Sequence, residues 1–380
     1  MSCDSGAALY EFFAGGGMAR MGLSSHWTTT FANDIDPAKA AAYRAAHGGQ
    51  EMVCADVWAL TSTDLPGRPG LAWASFPCQD ISLAGARGGL AAPRSGAFWG
   101  FWRLIEALDD ESRAPPLLAL ENVSGLATSA AGADLAALVA ALARRGYRVG
   151  AVEIDAAHFT PQSRPRLFLV AARGPIPAGM TAPAGLAPFA SPALVRAVAR
   201  FDAKTTAAWV WWRMAPAPKR NVDLAQIVDP SACCWWSPAK TAALIDLMAP
   251  VQRARLDAMI ASGARYVGAA FRRVRSENGV KRQRAEARFD GIAGCLRTPA
   301  GGSSRQILLV IDEGEVKARL MTAREGARLM GLRDDYPLPK GETAALHLIG
   351  DGLCVPAVKF LNDALLKPLA TATRAQSAAA

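Results

Sequence analysis

In the first half of the chain, short apolar runs alternate with stretches whose apolar residues recur at helical spacing. The pattern predicts strands over Ala8–Ala14, Thr28–Asn33, Leu71–Phe76, Leu117–Leu120, Tyr147–Asp155 and Arg166–Ala172. Between them it predicts helices ending near Leu23 and spanning Pro37–His47, Phe98–Leu108 and Ala133–Arg145. Such alternation predicts a doubly wound α/β sheet, whose ligands bind beyond the carboxyl ends of the strands. The polar residues that stand out fall at those ends: Gly15-Gly16-Gly17, Asp34, Cys78 and Glu121.

The alternation stops at Gly174–Pro192, a Pro-, Gly- and Ala-rich stretch that reads as a domain boundary. Further on, Thr322–Met330 reads as a helix, with Thr322 as N-cap and Glu325 at capping-box spacing. Leu348–Leu366 combines a glycine-containing turn with a final helix, and the small polar residues after Leu369 read as frayed.

Composition and charge then narrow the class. With 380 residues, 51% of them hydrophobic and 20% charged, the chain has ample material for a core, and global disorder is excluded. No apolar run approaches the roughly 18 residues of a membrane span. Seven cysteines without C-x-x-C spacing, and no signal peptide, fit a reduced cytoplasmic setting and no metal site. The net charge of +9 is unevenly placed. Residues 1–179 carry 14 basic and 16 acidic side chains, residues 180–290 carry 17 and 8, and residues 291–380 carry 11 and 9. The middle segment also holds five of the ten tryptophans (Trp209, Trp211, Trp212, Trp235 and Trp236), which read as its core. Its two basic clusters, Arg272, Arg273 and Arg275, then Lys281, Arg282 and Arg284, point to a polyanion.

Four features carry candidate chemistry. The glycine cluster lets backbone approach a ligand, and Asp34 suits ribose hydroxyls. Without full G-x-G-x-x-G spacing, a single adenosine-containing cofactor fits better than a dinucleotide. Cys78, after a strand and Pro77, opens a loop containing Gln79, Asp80 and Ser82. It reads as a nucleophile, whereas Cys54, Cys233, Cys234, Cys295 and Cys354 read as core thiols. His158 is the histidine of this half that stands as a base for Cys78, but no Cys–His–Asn pattern accompanies it, which disfavours a papain-like hydrolase. Glu121 follows an apolar strand, where a carboxyl group is protonated more readily than in water. Arg164 and Arg166, two apart at a strand entrance, read as a clamp on one side of the strand.

Taken in order, these segments resemble the cytosine-C5 DNA methyltransferase family. Phe12-Phe13-Ala14-Gly15-Gly16-Gly17 resembles its first cofactor motif, and Asn33-Asp34-Ile35-Asp36 and Ala55-Asp56-Val57 the next two. Phe76-Pro77-Cys78-Gln79 resembles its nucleophile motif, Glu121-Asn122-Val123 its Glu-Asn-Val motif, and Gln162-x-Arg164-x-Arg166 its Gln-x-Arg-x-Arg motif. Arg297-Thr298-Pro299 with Gly301-Gly302, and Gly350-Asp351-Gly352 through Val355-Pro356, resemble its later motifs. Glu11, Met18 and Asp351 depart from the commonest residues there, which are Asp, Gly and Asn.

The resemblance implies a Rossmann-like S-adenosylmethionine-dependent methyltransferase sheet with a smaller target-recognition domain. Residues 1–178 would form the catalytic domain, completed by 345–372. Residues 179–290 would form the recognition domain, and 291–344 a hinge and motif region. Cys78, Glu121, Arg164 and Arg166 would be catalytic. Phe13, Ala14, Gly15, Gly17, Asp34, Ile35, Asp56, Val57, Pro77, Phe98 and Asp351 would hold the cofactor. Gln79, Ser82, Arg87, Arg272, Arg273, Arg275, Arg282 and Arg284 would meet double-stranded DNA, from which the target base must be flipped. A monomer in the bacterial cytoplasm, with or without a partner restriction endonuclease, completes the expectation. An RNA methyltransferase on the same scaffold and a non-catalytic nucleic-acid-binding protein are the competing readings.

Overall fold

Seven strands line up in one sheet: β1 (Ala7–Phe12), β2 (Trp27–Asp34), β3 (Met52–Cys54), β4 (Leu71–Ala74), β5 (Leu117–Val123), β6 (Arg148–Asp155) and β7 (Pro165–Ala172). The structure is a computed structural model that describes residues 7–23, 26–77, 96–183, 186–277, 279–299 and 305–379. The strand order is β3-β2-β1-β4-β5-β7-β6. β7 runs antiparallel to both neighbours, and the other pairs are parallel. The parallel run starts at β1 and proceeds outward on both sides, so the switch point where ligands bind in such sheets lies beyond β1 and β4.

The helices follow from local chemistry. They are α1 (Met18–Leu23), α2 (Pro37–His47), α3 (Ala97–Asp110) and α4 (Ala133–Arg144). Asp36 caps α2, its carboxylate accepting from Ala38 N and Lys39 N, while Pro37 takes the first helical position, where no N–H is needed. α3 buries Phe98, Phe101, Trp102, Ile105 and Leu108, the three- and four-residue spacing of a stripe facing the sheet.

The chain divides into two compact units. The first holds residues 1–155, 165–217 and 357–380, and the second 156–164 and 218–356. The division falls later than the Pro-rich stretch, for a physical reason. Trp209 and Trp212 are buried in the first unit, not in a separate recognition core. Trp209 bridges to Val149, and Trp212 Nε1 donates to Val170 O at 3.2 Å. Gly150 makes room for this segment, since a Cβ there would sit 2.2 Å from Val210 O. The C-terminal segment returns to the same unit, where Trp27 Nε1 donates to Asn362 Oδ1 at 2.8 Å. Instead of fraying after Leu369, it is helical from Lys367 to Ala379. Within Glu342–Gln376 an 18-residue window reaches a mean hydropathy of 1.4, enough by length and composition for a membrane span. Half of that window is buried, and the stretch comprises separate helices, with a break between Asp351 and Val355.

The second unit is built on an antiparallel sheet of β8 (Tyr266–Glu277), β9 (Val280–Arg288), β10 (Ile307–Asp312) and β11 (Glu315–Leu320), in the order β11-β10-β8-β9. Its core gathers Leu244, Met248, Leu256, Ala270, Ile307, Leu309 and Ile311. The expected capping box is present: Thr322 and Glu325 exchange their side-chain and backbone bonds. Glu325 does more than cap, because its carboxylate also takes the buried Arg319 guanidinium (2.5 and 2.8 Å) and Asp229 N (2.8 Å). Those bonds, led against burial by Arg319, hold the Glu325 carboxyl below its ordinary range. Of the thiols expected in the core, Cys354 is buried, while Cys54, Cys233 and Cys234 are exposed and Cys295 is intermediate.

Candidate active site

The glycine turn leaves β1 in a conformation that few residues tolerate. Phe13 (φ +56°), Gly15 (φ +55°) and Gly17 (φ +76°) are all left-handed. Gly17 is required twice over, because a Cβ there would lie 2.3 Å from His47 Nε2. Gly15 faces open space, with nothing within 4 Å of a Cβ. The turn is pinned by Ala14 N to Asn33 O (2.8 Å) and by Gly15 N to Asp34 Oδ2 (2.8 Å). Asp34 also accepts from Asp36 N at 2.9 Å. Burial raises the Asp34 carboxyl above its ordinary range, and these N–H groups and Lys39 pull it back.

Because β3, β2 and β1 are neighbours, the residues after each come to one edge of the sheet. Ile35 is 62% exposed, an uncovered aliphatic face directly after Asp34. Asp56 is exposed and accepts from Trp58 N at 3.0 Å, while Val57 is buried. An open glycine turn, an uncovered apolar side chain and two carboxylates suit an adenosine-containing cofactor. Phe98 is fully buried, with its ring against Phe76, Trp99, Phe101 and Trp102, in the same core cluster as Val57.

Sequence inspection missed the polar network associated with the turn. Glu11 is fully buried and accepts from Arg20 N at 3.3 Å. The Arg20 guanidinium donates to Tyr43 OH at 3.0 Å and pairs with Glu51. His47 Nε2 lies 3.2 Å from Gly16 O. Burial pushes the Glu11 carboxyl up to about 8, against the opposing pull of Arg20, so it is protonated at neutral pH. The signal in the sequence was an acidic residue inside an apolar strand.

At the centre of the same edge, the register of β5 and β7 sets Val123 opposite Arg166. Arg166 Nε then reaches Glu121 Oε1 at 3.1 Å, with both side chains largely buried. Asn122, next to Glu121 and 2% exposed, donates from Nδ2 to Phe76 O at 3.2 Å and accepts Val123 N at 2.9 Å. It thereby fixes the backbone immediately before Pro77, whose side chain is half-buried. Cys78, Gln79, Ser82 and Arg87 lie outside the described residues.

Arg164 and Arg166 do not form a clamp on one strand. β7 begins at Pro165, and Arg164 belongs to the second unit. There its guanidinium donates to Leu296 O (2.8 Å), Gly350 O (2.8 Å) and Gly352 O (2.7 Å), with only 2% of the residue exposed. Gln162, fully buried, donates to Leu329 O at 3.0 Å and accepts Leu296 N at 3.1 Å. Arg164 thereby holds the backbone on either side of Asp351, which is exposed at the end of its helix, and Gln162 shares with it the segment at Leu296. His158 is exposed and belongs to the second unit. Arg272, Arg273 and Arg275 lie on β8, and Arg282 and Arg284 on β9.

Residues 7–367 match the family model described as C-5 cytosine-specific DNA methylase. The chain belongs to that family. Among curated relatives, Type II methyltransferase M.NlaX of Neisseria lactamica is 34% identical over 166 residues, 43% of this chain and 51% of M.NlaX. M.MspI of a Moraxella species is 34% identical over 37% of this chain and 32% of its own length. The chain thus spans about half and about a third of these two methylases. A longer match, to M1.ScrFI of Lactococcus lactis subsp. cremoris, is 21% identical over 95% of this chain and 78% of that one. Among solved structures, the Entamoeba histolytica methyltransferase EhMeth superposes with a TM-score of 0.64 at 13% identity, covering 96% of this chain and 99% of its own. The S. pombe Dnmt2 methyltransferase does so at 0.58 and 16%, with the same coverage. At such identities these two structures establish the methylase fold alone.

Proposed function

We propose that the chain is a DNA (cytosine-5)-methyltransferase that uses S-adenosylmethionine and attacks a flipped-out cytosine through Cys78. The observation that carries this reading is the Glu121–Arg166 pair at 3.1 Å, with Asn122 anchoring the backbone that leads to Pro77 and Cys78.

Carbon 5 of cytosine is a weak nucleophile. A Cys78 thiolate adding to carbon 6 forms the Sγ–C6 bond and makes the ring an enamine, nucleophilic at carbon 5. Glu121 hydrogen-bonds the exocyclic amine and supplies the proton at ring nitrogen 3, which stabilises that adduct. Arg166 holds both the Glu121 carboxyl group, which enters the step protonated, and the base carbonyl. Asp34 accepts the ribose hydroxyls, Ile35 covers the adenine and Asp56 accepts from its amine. Bound there, the cofactor supplies an electrophilic methyl group. A base then removes the carbon-5 proton, the electron pair of that C–H bond expels Cys78 as the thiolate, and the proton on ring nitrogen 3 returns to Glu121. The chain contributes orientation and charge complementarity. The Type II names of the relatives support a restriction–modification setting, and a monomer in a bacterial cytoplasm completes the proposal.

Incubating the protein with labelled S-adenosylmethionine and either duplex DNA or tRNA tests the substrate. Label in DNA, recovered as 5-methylcytosine after digestion to nucleosides, is expected. Label confined to tRNA would transfer the reading to RNA, and no label in either would leave a binding protein.

A further inference from the structure

The carboxyl group that β1 carries, that of Glu11, is shut in on every side. In the sheet Glu11 stands opposite Ala32 on β2 and Trp73 on β4, neither of them charged. The groups that face its carboxyl are Arg20 of α1, Tyr43 of α2 and Glu51, which precedes β3. The cation among them is already committed. The Arg20 guanidinium pairs with Glu51 and donates to the Tyr43 hydroxyl at 3.0 Å. What reaches Glu11 Oε1 is the Arg20 backbone N–H at 3.3 Å. Among the described residues, the buried Oε2 has no hydrogen-bond partner.

An ionised carboxylate can accept about four hydrogen bonds, and a buried anion without matching donors is costly. It would also place a second anion beside Glu51. The pocket therefore keeps Glu11 as the acid, in line with its rise to about 8 under burial.

The same cluster backs the glycine turn. Gly17 packs so tightly that a Cβ would sit 3.0 Å from the Tyr43 ring and 2.3 Å from His47 Nε2. The Tyr43 and His47 rings lie 4.9 Å apart. Since the partner of His47 Nε2 is the Gly16 carbonyl, at 3.2 Å, the imidazole is the donor. Glu11, α1 and α2 thus hold the turn whose Gly15 faces open space.

We propose that Glu11 is a positioning residue for the cofactor, acting through Arg20, Tyr43 and His47 on the turn that receives it; this rests on the S-adenosylmethionine reading of that edge. Ionising Glu11 adds an anion that is met by drawing Arg20 from Glu51 or by admitting water, and either loosens the turn. Cofactor affinity therefore falls as pH rises through the Glu11 titration. The neighbours titrate outside that window. Burial and then Arg20 hold the His47 imidazole below its ordinary range, and burial holds the Tyr43 phenol above its own.

The test measures binding of S-adenosylhomocysteine, the demethylated cofactor, by calorimetry at about pH 7 and about pH 9, for wild type, E11Q and E11A. If only the acid form is competent, about a tenth of the wild-type molecules remain so at pH 9, and affinity falls about tenfold. E11A is expected to bind on the order of tenfold more weakly than wild type at pH 7. E11Q, the neutral isostere, is expected to recover most of that loss and to keep it at pH 9. Thermal melting without ligand is the second readout. Folding takes up the Glu11 proton between the ordinary carboxyl range and about 8, so wild-type stability falls as pH rises through that window and levels off above it. E11Q has no such proton, so its Tm is expected to gain on that of wild type from about pH 5 to about pH 9. The proposal is overturned if E11A binds as wild type does, if E11Q loses affinity with pH as steeply as wild type, or if the Tm gap stays constant. If none of the three proteins binds S-adenosylhomocysteine while the Tm gap still widens, the cofactor reading fails and the positioning role with it, leaving Glu11 a neutral acid of the core.

Discussion

Glu121→Gln is expected to lower kcat for methyl transfer about a thousandfold, within the 10²–10⁴ range of a lost general acid. Folding stability should change little. Gln keeps the volume and a carbonyl oxygen for Arg166, whose Nε lies 3.1 Å from the native carboxylate. What it cannot do is deliver a proton to ring nitrogen 3. The KM for DNA should therefore hold within a few-fold while kcat falls, since an interaction confined to the transition state acts on kcat. A steady-state comparison at matched cofactor saturation checks this. Wild-type kcat in the variant would remove Glu121 from the chemistry.

The second large effect is on stability. Arg164→Ala is expected to destabilise the protein by about 3–5 kcal/mol, because it strips the donors from three carbonyls at about 1–3 kcal/mol each. Leu296 O, Gly350 O and Gly352 O all accept from this one guanidinium. Arg164→Lys should rescue little, since an ammonium lacks the planar fork that spans separated acceptors. Urea unfolding measures both variants. A loss below about 0.5 kcal/mol, the scale of an ordinary surface substitution, would show that these bonds are dispensable.

The first unit was largely legible in the sequence because its strands are buried on both faces and its breaks are local. α2 was expected over Pro37–His47 and runs over those residues, with Asp36 and Pro37 marking its start. The strand ends carrying Gly15, Asp34 and Glu121 were placed to within a few residues. Long-range packing was not legible. The Pro-rich stretch resembled a boundary, yet Trp209 and Trp212 carry the chain back onto the first sheet. Arg164 and Arg166 are two apart in sequence but serve different units, because Pro165 begins β7 and only Arg166 shares its sheet with Glu121. In sequence Asn122 stands out only as part of the Glu121-Asn122-Val123 motif, because its hold on Phe76 O depends on β4 and β5 being neighbours. The charge itself survived the change of boundary: the second unit carries 22 basic and 15 acidic residues, a net of +7 of the chain's +9.

The central claim is that Cys78 forms a covalent bond to cytosine carbon 6. A duplex containing 5-fluorocytosine at the methylated position has no removable proton on carbon 5, so elimination of the cysteine stalls after methyl transfer. Denaturing electrophoresis and peptide mass mapping, with S-adenosylmethionine present, are expected to show a stable protein–DNA adduct on Cys78, absent in Cys78→Ser. A wild-type protein that binds the duplex and the cofactor but gives no adduct, or an adduct mapped to another residue, would contradict it.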